Sequence, residues 1–189
     1  MPRGLQRFQQ SRQSHFLTFS CYRRQPNFSC PNTYDLFVQC LEEMRRRFSM
    51  RIYGYVVMPE HVHLLVNEPE PVSLAEAIHY LKLSFAKRLR SRTGATTPRS
   101  FWQKRYYDRN IRDAQEFTVK LRYLHRNPAN RGLVKDPLEC RWSSKMTEIH
   151  QTSNTQIRAL LDPTQQKKWD EMQAKHEQWG HNRGQGAGD

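Results

Sequence analysis

The stretch YVVMPEHVHLLV, residues 55–66, decides the fold, because it reads as two strands joined by a tight turn at Pro59-Glu60. Alternate side chains of a strand share a face, so Val62, Leu64 and Val66 are expected to face the core, and His61 and His63 the other way. Strand rise sets the two histidine Cα atoms about 6.6 Å apart, close enough for both imidazoles to converge on one ion. A pair of half-exposed histidines on a solvated face is the bland alternative. The H-x-H pattern by itself does not separate the two.

Working outward, HFLTFSCY (15–22) is rich in aromatic and β-favouring residues and predicts a first strand, which RRQPNFSCPN ends with two prolines. A helix follows from Asn32 or Thr33, either of which is a competent cap. Phe37, Cys40, Leu41, Met44 and Phe48 recur at helical spacing as its buried stripe. RIYGYVVM (51–58) and HVHLLV (61–66) supply the second and third strands. Ser73 and Glu76 have the spacing of a capping box, and the helix they open carries Leu74, Ile78, Leu81, Phe85 and Leu89 on one face. FWQKRYYDRNIR (101–112) holds a fourth strand near its end. Asp113 and Glu116 then start a helix with Phe117, Leu121 and Leu124 inward, expected to close at Asn127 because Pro128 follows. The order of elements predicts an α+β, ferredoxin-like split βαβ fold, with an antiparallel sheet and helices packed on one face.

That plan fills one domain over residues 1–147. Residues 148–189 read as a C-terminal extension, with one helix capped by Asp162 and Pro163 and a disordered tail after it. Trp169, Met172, His176 and Trp179 would share a narrow stripe on that helix.

Charge is the strongest global signal. Among 189 residues, 31 are Lys or Arg and 18 Asp or Glu, a net +13, and the pI is near 10.0. Such a chain attracts polyanions, and nucleic acid is the default partner. No long apolar segment, signal peptide or lipidation motif argues for a membrane, so a cytoplasmic protein is expected. Cys21, Cys30, Cys40 and Cys140 form no C-x-x-C pair, which suits free thiols rather than a zinc knuckle. The bases crowd into one third of the chain, interleaved with aromatics. Lys82, Lys87, Arg88, Arg90, Trp102, Lys104, Arg105 and Arg109 are the candidate DNA-binding set, a mixture suited to tracking phosphates and stacking unpaired bases. Core packing is the competing assignment for Phe101, Trp102 and Tyr106, and at least one of them is expected there.

Four motifs now stand in order: YVVMPEHVHLLV, FWQKRYYDRNIRD (101–113), LRYLHRNPANRGLV (121–134) and RWSSK (141–145). The series resembles the REP-associated tyrosine transposases, members of the single-strand HUH superfamily with the IS200-like transposases. The resemblance covers roughly residues 10–147. It implies that His61 and His63 bind a metal, that Tyr123 is the nucleophile, and that Asn127 completes the metal site. Residues i and i+4 share a helix face, so Tyr123 and Asn127 are free to aim at one point. A neutral Asn ligand suits a hard ion such as Mg²⁺ or Mn²⁺. His125, two positions from Tyr123, reads as structural or substrate-facing.

The implied activity is cleavage and strand transfer of single-stranded or hairpin DNA through a covalent 5′-phosphotyrosine, by a monomer or a homodimer. Two rivals remain open from the residues: a non-catalytic nucleic-acid-binding protein, and a metal-dependent nuclease that uses water.

Overall fold

The computed structural model describes residues 13–93 and 100–143. Within them four strands and three α-helices follow in the order β1 (Ser14–Ser20), α1 (Pro31–Arg47), β2 (Ile52–Val57), β3 (His61–Asn67), α2 (Leu74–Thr93), β4 (Tyr107–Ile111) and α3 (Ala114–Asn130). The sheet order is β2-β3-β1-β4. Both neighbours of β1 run antiparallel to it, and β2 is antiparallel to β3. β1 and β2 therefore point the same way with β3 between them, which is the split βαβ arrangement. The extension expected at 148–189, with its helix and its Trp169, Met172, His176 and Trp179 stripe, lies outside the described residues.

The predicted alternation holds in β3. Val62, Leu64 and Val66 join Leu17 and Phe19 in a core with α1 and α2, whose Leu36, Phe37, Met44, Ile78, Leu81 and Phe85 they meet. The sequence reading puts the helices on one face; α1 and α2 follow it, and α3 does not. The third, α3, covers the opposite face, where Leu124, Phe117 and Leu121 pack with Phe16, Val56, Met58, Leu65 and Ile111. Every residue of β3 from His61 to Val66 is consequently buried. A two-faced burial explains why this stretch is so continuously apolar, with two imidazoles as the exception.

Local chemistry sets the helix ends. The capping box before α2 is made in full: Glu76 N–H donates to Ser73 Oγ at 3.2 Å, and Ser73 N–H donates back to Glu76 Oε2 at 2.9 Å. Asp113 caps α3, its Oδ1 accepting from Glu116 N–H at 2.7 Å. Two expected ends move. The cap of α1 is Cys30, not Asn32 or Thr33, because Pro31 occupies the first helical position, where its fixed φ is favoured. α3 runs through Pro128 to Asn130. A proline in the last turn removes only one helical hydrogen bond, and the turn closes beyond it, with Arg131 N–H donating to Asn127 O at 3.1 Å and Gly132 N–H to Ala129 O at 2.9 Å. Gly132 takes the left-handed φ of 68° that such an ending favours.

Of RWSSK, residues 141–143 are described and gain a structural account, and the last two lie outside the described residues. Trp142 stacks on Tyr34 with centroids 4.2 Å apart, and its Nε1–H donates to Asp35 at 2.9 Å. Ser143 bridges to Val56 on the outer edge of β2, covering part of an edge that would otherwise be open. All four cysteines are free thiols, as expected.

One cluster has no counterpart in the sequence reading. His15 on β1 is fully buried. Its Nδ1 lies 2.8 Å from Asp108 Oδ1 on β4, and its Nε2 lies 3.2 Å from Glu68 Oε1.

Candidate functional site

β1, β3 and α3 meet at the end of the sheet where Ser20 pairs with His61. They leave there a cleft of about 220 Å³ lined by Thr18, Arg24, His61, His63, Tyr123, Asn127, Asn130 and Arg131. The burial of Val62 on the far face turns His61 and His63 toward α3, as alternation requires. Their Nε2 atoms face each other at 3.0 Å. Thr18 lies opposite His63 across the β1–β3 ladder, and its Oγ1 is 2.7 Å from His63 Nδ1. A bond from Nδ1–H to that oxygen leaves the Nε2 lone pair directed into the cleft. His61 has a carboxylate in the corresponding place. Its Nδ1 lies 3.2 Å from Glu60 Oε1, and the same oxygen receives Arg131 Nη2 at 2.8 Å.

Electrostatics keeps the pair neutral. Burial is the main cause that lowers the pKa of both imidazoles, with Arg24 adding repulsion to each; His63, also repelled by His61 and Lys120, is pulled down to about 3. Neutral imidazole is the form that ligates metals. Glu60 is the counterweight. Burial alone would raise its pKa, but the hydrogen bond and the charge of Arg131 help bring it below the usual carboxylate value.

α3 supplies the other side of the cleft. Tyr123 is 46% exposed, and its ring meets His63 edge-on at 5.3 Å and Phe16 at 6.0 Å. One turn on, Asn127 is buried, and its Oδ1 finds no hydrogen-bond partner among the described residues. A buried, unpartnered carbonyl oxygen is costly, and a cation in front of it would meet that need. The structure thus brings His61, His63, Tyr123 and Asn127 to one cleft. Among the described residues, no three His, Cys, Asp or Glu side chains gather as a metal-binding group. His125 is buried, away from solvent.

The expected DNA-binding set divides. Trp102 is moved into the core: it is buried, packed with Phe19, Phe28, Phe37, Phe85 and Phe101, and its Nε1–H donates to Lys82 O at 3.1 Å. A ring so enclosed has no face to offer a base. The reason is the register of its segment, since Cys21 bridges to Trp102 at the end of β1 and draws it inward. Lys82 Nζ donates to Gln103 O at 2.8 Å, and burial pulls its pKa down to about 8. Arg88 holds Glu43 of α1 in a two-bonded pair at 2.6 Å. Arg109 pairs with Glu116. Lys87, Arg90, Lys104 and Arg105 are exposed. Because α2 packs on the face opposite α3, Lys82, Lys87, Arg88 and Arg90 are not brought to the histidine cleft.

Thr18, Arg24 and Arg131 are the residues that sequence reasoning missed. Thr18 carried no clear signal, because its strand face, Ser14, Phe16, Thr18 and Ser20, is mostly polar. Arg24 carried none, because its position depends on backbone geometry. It and Arg23 take left-handed φ values of 55° and 54°, a conformation that costs a non-glycine residue about 1 kcal/mol or more.

The chain matches the family described as "Transposase IS200 like" over residues 9–127. A Haemophilus influenzae protein named as a REP-associated tyrosine transposase is 30% identical over 87 residues, 42% of this chain and 49% of that protein. The REP-associated tyrosine transposase of Escherichia coli is 25% identical over 103 residues, 54% of this chain and 58% of that one. The chain therefore spans about half the length of the curated relatives it matches. A REP-associated tyrosine transposase solved with a REP hairpin superposes with a TM-score of 0.62 at 22% identity, over 75% of this chain and 82% of the other, a likeness of fold. Among the described residues no helix is long and apolar enough to cross a membrane. With the family matched across the strands and the helix that build the cleft, this chain belongs to the IS200-like transposases.

Proposed function

We propose that this chain cleaves and rejoins single-stranded, hairpin-bearing DNA through a covalent 5′-phosphotyrosine at Tyr123, beside a divalent ion held by His61, His63 and Asn127. One observation carries the reading: two neutral imidazoles present Nε2 atoms 3.0 Å apart, next to the tyrosine ring and to the unpartnered Asn127 oxygen. These two nitrogens and the Asn127 oxygen would hold a divalent ion, and the neutral amide ligand suits a hard ion such as Mg²⁺ or Mn²⁺. A bound ion supplies Lewis acidity that draws charge from the phosphoryl oxygens.

The chain's own residues do the rest. The Tyr123 oxygen bonds to phosphorus as the P–O3′ bond breaks, and the phenolic proton ends on the departing 3′-oxygen. The number of phosphoester bonds is unchanged, so a second 3′-hydroxyl is able to reverse the step and join another strand. Thr18 and Glu60 fix the imidazoles from behind. Exposure of the phenol suits attack on a strand arriving from solvent, and the exposed Lys104 and Arg105 are bases available to its phosphates.

The test is a covalent adduct. The full chain, incubated with a long circular single-stranded DNA and Mn²⁺, should give a protein–DNA species that survives denaturation. Tyr123→Phe should reduce it by at least about 10³-fold. An undiminished adduct in that variant removes Tyr123 as the nucleophile. Cleavage without any adduct favours a nuclease that uses water, and binding without cleavage favours a non-catalytic binder.

A further inference from the structure

Arg24 sits in the cleft because of a turn that is forced and then pinned. β1 ends at Ser20, and Cys21 N–H donates to Glu60 O at 2.9 Å, tying the chain to the β2–β3 turn. Seven residues later Phe28 N–H donates to Pro59 O at 3.1 Å, and the Phe28 ring is buried among Phe37, Phe85, Phe101 and Trp102. Between these anchors, Arg24 N–H donates to Cys21 O and Gln25 N–H to Tyr22 O. The two consecutive left-handed residues, Arg23 and Arg24, are held there by bonds on both sides. Over-determined strain of this kind is found where a side chain must be aimed. Its result is that the Arg24 side chain lines the cleft with His61, His63 and Tyr123.

Arg131 reaches the same cleft from the end of α3. Glu60 occupies one arm of its guanidinium at 2.8 Å, and the fork carries further N–H donors. Arg24 has no carboxylate partner among the described residues. The cleft therefore gathers two guanidinium groups against one carboxylate. A divalent cation added to such a wall is repelled until an anion joins it. Guanidinium is the side chain best shaped for a phosphate diester.

We propose that Arg24 and Arg131 form a two-armed clamp on the phosphodiester that Tyr123 attacks, with Glu60 as the tether that aims Arg131. This rests on the cleavage reading above, and it adds a phosphate-binding role for two residues outside the histidine, asparagine and tyrosine set. The clamp grips the strand before any ion is bound, so it is measurable without metal.

The experiment uses the full chain and a fluorescently labelled single-stranded DNA dodecamer in EDTA, with anisotropy followed from 50 to 200 mM salt. Arg24→Gly is the informative variant. Glycine accepts the left-handed turn without strain, so its melting temperature should equal or exceed the wild type while the guanidinium is gone. Affinity should fall about tenfold, and the salt dependence should lose about 0.7 in slope, the loss for one phosphate contact on a single strand. Arg24→Lys should restore part of the affinity, and Arg131→Ala should repeat the loss. Unchanged affinity and slope in Arg24→Gly overturn the clamp, as does adduct formation by that variant at the wild-type rate. Should the wild type bind the dodecamer and Arg24→Gly lose it, while no adduct ever forms, the clamp is upheld and the cleavage reading falls.

Discussion

Two buried histidine clusters occupy opposite faces and opposite ends of one sheet, and they differ in what their ring nitrogens meet. His15 pairs across the ladder with Val66 and Asn110, at the far end from the cleft, and its two nitrogens lie against the carboxylates of Asp108 and Glu68. His61 and His63 turn one nitrogen each toward a tether, Glu60 or Thr18, and the other toward each other. The first arrangement is enclosed by carboxylates, one within ion-pair distance of each ring nitrogen, although His15 Nε2 makes no hydrogen bond among the described residues. The second is half complete: the outer nitrogens are fixed while the inner ones share a space with Asn127 and Tyr123. A histidine enclosed by carboxylates reads as structure, and a histidine pair that opens on a cleft beside an unpartnered Asn127 oxygen reads as a site.

The comparison predicts opposite losses. On the proposed metal reading, His63→Leu should lower adduct formation by at least about 10²-fold, and should leave the fold intact. It should also change the response to acid. In metal-free buffer the folded His63 titrates near 3, against about 6.5 in the unfolded chain. Above 6.5 neither form is protonated there, so nothing is lost. As pH falls below 6.5, the unfolded chain takes up a proton that the folded chain refuses, and stability drops by up to about 1.4 kcal/mol per unit until the folded pKa is reached. Denaturant melts between pH 7 and 4 should be less steep in pH for His63→Leu than for the wild type. If the variant keeps its adduct, the metal reading of the pair is broken.

His15→Gln should do the reverse. It strands two buried carboxylates, so unfolding free energy should fall by about 3 kcal/mol, read as a shift in denaturant midpoint. Adduct formation per folded molecule should stay near wild type. A loss of activity out of proportion to the loss of fold would make His15 part of the site and erase the distinction between the clusters.

How far each cluster was legible in the sequence follows from the range of the interactions that build it. His61 and His63 are two residues apart, and strand alternation alone places them on one face; Tyr123 and Asn127 are four apart on a helix, and the same kind of argument serves. The capping pairs Ser73–Glu76 and Asp113–Glu116 are equally local, and both formed. His15 and Asp108 are 93 residues apart, and no periodicity announces their pairing. The amphipathic stripe of α3 told that Phe117, Leu121 and Leu124 point inward, but the side expected for them, shared with α1 and α2, is not the one they cover. Trp102 looked like a base-stacking residue because its neighbours are basic, and it is buried because the end of β1 pulls it in. Arg24 depends on a left-handed backbone that arginine does not favour, so composition and spacing alike pass over it.

The finest test of the comparison is the tether itself. Thr18→Val keeps the β-branched shape on β1 and removes only the oxygen 2.7 Å from His63 Nδ1. If the cluster is a site, that oxygen fixes which nitrogen of His63 carries the proton, and losing it lets the ring take the tautomer whose Nε2–H points into the cleft. Affinity for Mn²⁺, titrated by its paramagnetic resonance signal, should fall about 10- to 100-fold, the usual cost of losing a partner behind a ligand. Stability should change little, because the valine is isosteric and Thr18 is only half-buried. The same removal behind His15 would unpair a buried carboxylate and cost stability instead. Unchanged Mn²⁺ affinity in Thr18→Val would mean that packing alone, against Phe16 at 5.4 Å and the edge of Tyr123, holds the ring.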